Sequence, residues 1–151
     1  MVPHDMTETP QHSVSVAAAI FDDSGENVLL IKRRDNGNWE PPGGVLELDE
    51  TIEDGLRREV REETGAEIEV GPLTGVYKNM SRGIVALVFR CRATTLPRLS
   101  SDEASRISWW AVAHLPDRLT DAYSVRVLDA LSGPNAHIRS HDGHSVFDGD
   151  K

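Results

Sequence analysis

Apolar and polar positions change period along this chain, and each change marks an element. Val14, Val16, Ala18 and Ile20 alternate with smaller or outward positions, the two-residue repeat of a strand. Asp22-Asp23-Ser24-Gly25-Glu26-Asn27 supplies a turn, and the run at 28–31 returns as a second strand, so the pair reads as a hairpin. From 51 to 64 the spacing lengthens: Ile52, Leu56 and Val60 fall four apart, lining one side of an α-helix that packs on a core. Asp49 or Thr51 can cap its start, Glu50, Glu53 and Asp54 suit its positive end, and Gly65 stands where a left-handed residue would stop it. Ile68, Val70, Leu73 and Val76 then predict extended chain broken at Gly71-Pro72. A turn over 79–83 leads into the apolar strand at 84–89. A loop at 94–103 without periodicity precedes a strand at 107–112. Thr120 is placed to cap a second helix carrying Tyr123, Val127, Leu128 and Leu131, ended by Gly133-Pro134.

Length bounds the domain count: 151 residues suffice for one core and not comfortably for two. The expected organisation is a flexible arm at 1–12, one α/β domain at 13–134 and a peripheral tail at 135–151. With 38% apolar and 27% charged residues the chain has the composition of a soluble globular protein, and no apolar run approaches the ~18 residues of a membrane span. The first residues lack a basic start followed by an apolar stretch, and Cys91 is the single cysteine; both fit a reducing cytoplasm. Cys91 itself reads as packing. A net charge of −9 argues against nonspecific binding to nucleic acid or an anionic membrane. It also means that a phosphate-bearing ligand would be repelled unless metal ions and local arginines neutralise it.

One feature of the first helix is unfavourable on its own terms. Glu59, Glu62 and Glu63 crowd its last turn, at the negative pole of the helix dipole, within an arc of roughly 100°. Arg57, Arg58 and Arg61 are close by, so a solvated face laced with ion pairs would account for the pattern. On the helix alone that reading has most of the weight; the other is a divalent cation, since Mg²⁺ or Mn²⁺ takes hard oxygen ligands, with waters and substrate phosphates completing the octahedron. The acidic turn at 22–27 lacks the spacing of a calcium loop and reads as turn chemistry.

The string from Gly44 to Ala66, GVLELDETIEDGLRREVREETGA, resembles the signature of the Nudix hydrolases, G-x5-E-x7-R-E-U-x-E-E-x-G-U with U a bulky aliphatic residue. Gly44, Glu50, Arg58, Glu59, Val60, Glu62, Glu63 and Gly65 fill the fixed positions; Ala66 is smaller than usual in the last one, and Asp49 replaces a common glycine. The resemblance implies an α/β/α sandwich, a mixed sheet between a catalytic and a C-terminal helix. It implies Mg-dependent hydrolysis of a nucleoside diphosphate linked to another group, with a small-molecule nucleotide as partner and a monomer or homodimer as the assembly. The metal ligands it implies are Glu59, Glu62, Glu63, Glu103 and the Gly44 carbonyl. Glu59 is the first choice for the base, oriented by Arg58, and Glu50 would hold the helix start. Arg33, Arg34, Tyr77 and Arg82 are candidates to meet substrate, while Trp39 reads as core. The alternative is a Nudix-like domain that senses a nucleotide without cleaving it. His137, His141 and His144 in the tail have metal-like gaps, but the segment reads better as a peripheral strand or ordered coil.

Overall fold

The strand on which everything packs is β1 (Ser13–Phe21), buried from Val16 to Phe21 on both of its faces. The protein is represented by a computed structural model that describes residues 9–147, so most of the expected arm at 1–12 and the last residues of the tail lie outside the described residues. A strand buried on both sides needs a small or apolar residue at every position, which SVSVAAAIF supplies. Along its full length β1 pairs in parallel with β6 (Ile84–Ala93), which pairs antiparallel with β5 (Ile68–Asn79). The outer edge of β5 takes β8 (His137–His141) in parallel, so the tail does form a peripheral strand. On the opposite side β4 (Gly43–Val45) pairs with the first half of β1. There β2 (Asn27–Arg33) meets β1 only at Phe21↔Val28 before leaving to pair with β3 (Trp39–Glu40) and β7 (Ala104–Ala111).

Alternation along β1 sends side chains into two separate cores. Val16, Ala18 and Ile20 pack with Leu56 and Val60 of α1 (Ile52–Thr64). Ala17, Ala19 and Phe21 pack with Val127 of α2 (Asp121–Asp129) and with Ala130 just beyond it. Helix, mixed sheet and helix therefore stack as an α/β/α sandwich, as expected.

Several local expectations need correcting. The first two strands share a single register pair, because β4 occupies the rest of that edge. Gly71-Pro72 does not end a strand; β5 runs through it with a shift of register, the behaviour of a bulge. Ile52 is 41% exposed, so the buried stripe of α1 is Gly55, Leu56, Val60, Glu63 and Thr64. The Thr120 side chain makes no capping bond to α2. Thr51, by contrast, caps α1 as the spacing predicts, its hydroxyl accepting from Asp54 N–H at 3.2 Å. Thr51→Ala should lower the unfolding free energy by about 1 kcal/mol, read from urea denaturation, without changing the slope of the transition.

Candidate active site at the C-terminal end of the first helix

Gly65, at φ 74°, closes α1 with its N–H on Arg61 O, while the packing of Leu56 and Val60 on the sheet sets which carboxylates of the last turns face inward. Glu59 and Glu63, four residues apart, project into a cavity of about 520 Å³. Its other walls are Gly43 and Gly44 of β4, Arg33, Arg34 and Glu40 around β2 and β3, and Asp102 and Glu103 ahead of β7. Helix, strand and distant loop thus converge from positions 33 to 103 of the sequence.

Glu63 is only 3% exposed, and one oxygen accepts the Gly43 N–H at 2.7 Å. Burial pushes its carboxyl up to about 8; Gly43 opposes the shift, while Glu59, Glu40 and Glu103 add to it. Glu59 is raised as well, by burial, against the pull of the Arg58 guanidinium 3.0 Å away. The Glu59 carboxylate lies so close to Gly44 that a Cβ there would meet it at 2.5–2.6 Å, so a side chain at this position would displace the Glu59 carboxylate from where it stands.

Arg58 organises the surroundings. Its Nε and Nη2 fork onto Glu50 at 2.8 and 2.7 Å, Nη2 also reaches Val45 O at 3.2 Å, and Nη1 donates to both Glu59 and Glu62. The fork holds the Glu50 carboxyl at about 2, helped by the Glu47 N–H. Glu50 therefore ties the approach loop to the helix.

The structure brings Glu59, Glu63, Glu103, Gly44, Arg33 and Arg34 to one cavity, but not Glu62. The Glu62 side chain is 56% exposed and is held by Arg58, outside the cavity wall. Among the described residues, no three acidic, histidine or cysteine side chains are gathered on one point. The carboxylates repel one another and each takes its nearest donor: Gly43 N–H for Glu63, Arg58 for Glu59 and Glu62. The donor set is nonetheless chemically suited to a hard cation, since carboxylates drawn out of water and a glycine carbonyl are oxygen ligands, and among the described residues Glu63 has no ion-pair partner.

Arg34 donates through Nε and Nη2 to Ser101 O, tying the β2 end to the loop that carries Glu103. Arg33 forks onto Asp35 and reaches Glu40 at 3.2 Å. Glu40 is a site residue that the sequence pattern does not single out. It is 8% exposed and its carboxyl is raised by burial, with Arg33 opposing. It lies between Trp39 and Pro41, both buried, in surroundings that no local sequence pattern records.

Tyr77 and Arg82 border a second cavity of about 230 Å³, which shares Arg33, Glu40, Gly43 and Gly44 with the first. Arg82 is exposed at its rim. Tyr77 is fully buried and its hydroxyl donates to Asp129 at 2.7 Å, so as a substrate contact it is corrected: it is a core residue with its polar end satisfied. Trp39 is core as expected, edge-on to Trp110 at 5.1 Å.

The profile of the NUDIX domain matches residues 11–131. A MutT-like protein of Streptomyces ambofaciens is 52% identical over 145 residues, covering 96% of this chain and 94% of that protein. An ADP-ribose pyrophosphatase of Methanocaldococcus jannaschii is 33% identical over 96 residues, 59% of this chain and 57% of its own length. Among solved structures, a MutT NUDIX hydrolase from Burkholderia pseudomallei superposes with a TM-score of 0.71 at 30% identity, covering 80% of this chain and 98% of that one. With the profile spanning most of the sequence and the same layered fold carrying the acidic helix end, the chain belongs to the NUDIX domain family and is a Nudix hydrolase.

Proposed function

We propose that this protein cleaves the pyrophosphate bond of a nucleoside diphosphate linked to a second moiety, with Mg²⁺, or Mn²⁺ in its place, as the required ion. The observation that carries this is the pair Glu59 and Glu63: two carboxylates on one cavity wall, Glu63 buried and, among the described residues, without an ion-pair partner. A buried carboxylate left so is costly unless it is protonated or meets a positive ligand. Glu59, Glu63, Glu103 and the Gly44 carbonyl would hold the ion, joined by Glu62 once it turns from Arg58. When bound, the ion supplies charge neutralisation at the phosphoryl oxygens and a lower pKa for the attacking water.

The chain's own groups define the remaining steps. Glu59, its proton affinity raised by burial and its carboxylate aligned by Arg58, is placed to take the proton of a water that attacks phosphorus. The bond from that phosphorus to the bridging oxygen breaks, and two phosphorylated products leave. Arg33 and Arg34 line the same wall and would meet the unreacting phosphate, offsetting a chain charge that otherwise repels it. ADP-ribose, named for one relative, contains this anhydride and suits the same site.

The test is a panel of nucleoside triphosphates, nucleotide sugars, ADP-ribose and dinucleotides, each incubated with Mg²⁺ or with EDTA. Release of a nucleoside monophosphate from at least one, lost in EDTA, is the expected result. Glu59→Gln should lower kcat by about 10²–10⁴-fold, the range of a lost general base, with an unchanged circular dichroism spectrum. A Glu59→Gln protein as active as wild type would remove Glu59 from the chemistry.

A further inference from the structure

The second cavity contains a cation that the reaction above does not use. Arg126 of α2 is 6% exposed and its Nε has no hydrogen-bond partner; Glu40, on the same cavity wall, attracts it through space but forms no ion pair with it among the described residues. Three residues further along the same helix, Asp129 accepts both branches of Arg139 at 2.7 and 2.8 Å and the Tyr77 hydroxyl, so the nearest acid on α2 is taken. What surrounds Arg126 instead is two aromatic faces, Tyr77 and Tyr123, with ring centroids 5.0 and 4.7 Å from the guanidinium carbon. Cation–π contacts offset part of the cost of burying a charge and leave its Nε–H unsatisfied.

The tautomer of His141 sharpens the point. Its Nδ1 accepts the Gly143 N–H at 3.0 Å, which places the ring proton of a neutral imidazole on Nε2. Burial and the neighbouring Arg126 both hold this ring neutral. Nε2–H stands 3.5 Å from Nη2 of Arg126, so the contact joins two donors and is no hydrogen bond. Arg126 and His141 line the same cavity, and Arg82 stands at its rim. Inside an acidic protein this lobe therefore presents N–H donors and a buried positive charge.

We infer that this lobe is an oxyanion subsite, in which Arg126 and His141 Nε2–H grip a phosphate group of the substrate other than the two joined by the cleaved bond. A nucleobase edge supplies acceptors but no charge, and would leave the guanidinium uncompensated; a phosphate supplies both. The cavity adjoins the acidic one along Arg33, Glu40, Gly43 and Gly44, which line both, and a ligand of this kind would reach across that shared edge. This deepens the proposed hydrolase reading, on which it rests for the identity of the ligand, and selects substrates whose linked moiety or ribose carries a further phosphate.

The test separates the two readings by working without metal. In EDTA, where the acidic cavity repels anions, inorganic phosphate should bind wild type saturably by calorimetry and raise its Tm. Arg126→Gln should weaken that binding by at least about tenfold, as loss of a charge-assisted contact does. Because the arginine forms no ion pair among the described residues, and Glu40 keeps its bond to Arg33, the variant should still unfold cooperatively. Should it fail to fold, wild type alone decides: kcat/KM should favour NADPH over NADH, and 2′-phospho-ADP-ribose over ADP-ribose, by about tenfold or more. Equal phosphate affinity in Arg126→Gln, no saturable binding to wild type, or no preference within either substrate pair would each overturn the subsite, leaving hydrolysis itself untouched.

Discussion

In EDTA, the protein should lose stability steadily as pH rises from about 4.5 to about 8, and Glu63→Gln should flatten that slope. The Glu63 carboxyl has its ordinary value of 4.5 in the unfolded chain and is raised to about 8 in the fold. Between those limits the folded state holds a proton that the unfolded state has released, so stability falls with increasing pH through the window and levels off above it. Every tenfold gain in proton affinity on folding corresponds to about 1.4 kcal/mol, which makes the loss a few kcal/mol at pH 8. A glutamine keeps an oxygen for the Gly43 N–H and has no charge to bury, so the metal-free variant should be the more stable protein at pH 8. Mg²⁺ should reverse the ranking, raising the Tm of wild type at pH 8 and leaving the variant nearly unmoved. With Mg²⁺ present, kcat/KM of Glu63→Gln should fall by at least about 10²-fold, the loss seen when one charge-stabilising group leaves a water-poor site. A wild-type Tm in EDTA that is level or rising from pH 5 to 8 would show that Glu63 is ionised in the fold without help, and the reason for a cation at this helix end would disappear.

That helix end was legible because its signal is local. The period of Leu56 and Val60, the cap at Thr51, the stop at Gly65 and the three late glutamates are all set within one segment, and each appears where the spacing put it. What spacing could not convey is which carboxylate the tertiary structure buries. Glu62 and Glu63 are adjacent and chemically identical, yet one is 56% exposed and the other sealed against Gly43, because β4 passes over one side of the helix end only. Glu40 and Tyr77 were misplaced or missed for the same reason. Their surroundings are made by β2 and α2, far away in sequence, and no local pattern records such contacts. His141 was visible only as a member of a weak metal-like spacing, whereas its meaning comes from Arg126 on another element.

The acidic chain and its two cavities are linked through this division of charge. Near the helix end carboxylates gather; in the adjoining lobe Arg126 forms no ion pair among the described residues and feels Glu40 only through space. Pairing them directly would have satisfied both, and Arg33 with Glu40 does so at the boundary, 3.2 Å apart. On the proposed reading, holding the remainder apart would lower the stability of the empty protein and leave each lobe matched to a ligand group of opposite sign.

Arg58→Lys should lower kcat/KM with Mg²⁺ by about 10²-fold, chiefly through kcat, although the charge is kept. Lysine offers one compact ammonium, whereas the guanidinium bridges Glu50, Glu59, Glu62 and the Val45 carbonyl at once. Releasing Glu50 frees the loop between β4 and α1, and releasing Glu59 removes the contact that aligns it, a misplacement of a kind that costs orders of magnitude in rate. Stability against pH distinguishes this role from simple packing. The Glu50 carboxyl is depressed to about 2 by the arginine, so its stabilising effect is complete above the unfolded value of 4.5 and fades as pH falls towards 2. The Tm difference between wild type and Arg58→Lys should therefore be greatest above pH 4.5 and shrink below it, opposite in direction to the effect of Glu63. A gap that stays constant down to pH 2.5 would mean that Arg58 contributes packing alone, and a lysine variant with wild-type kcat would mean that Glu59 needs no partner to hold it.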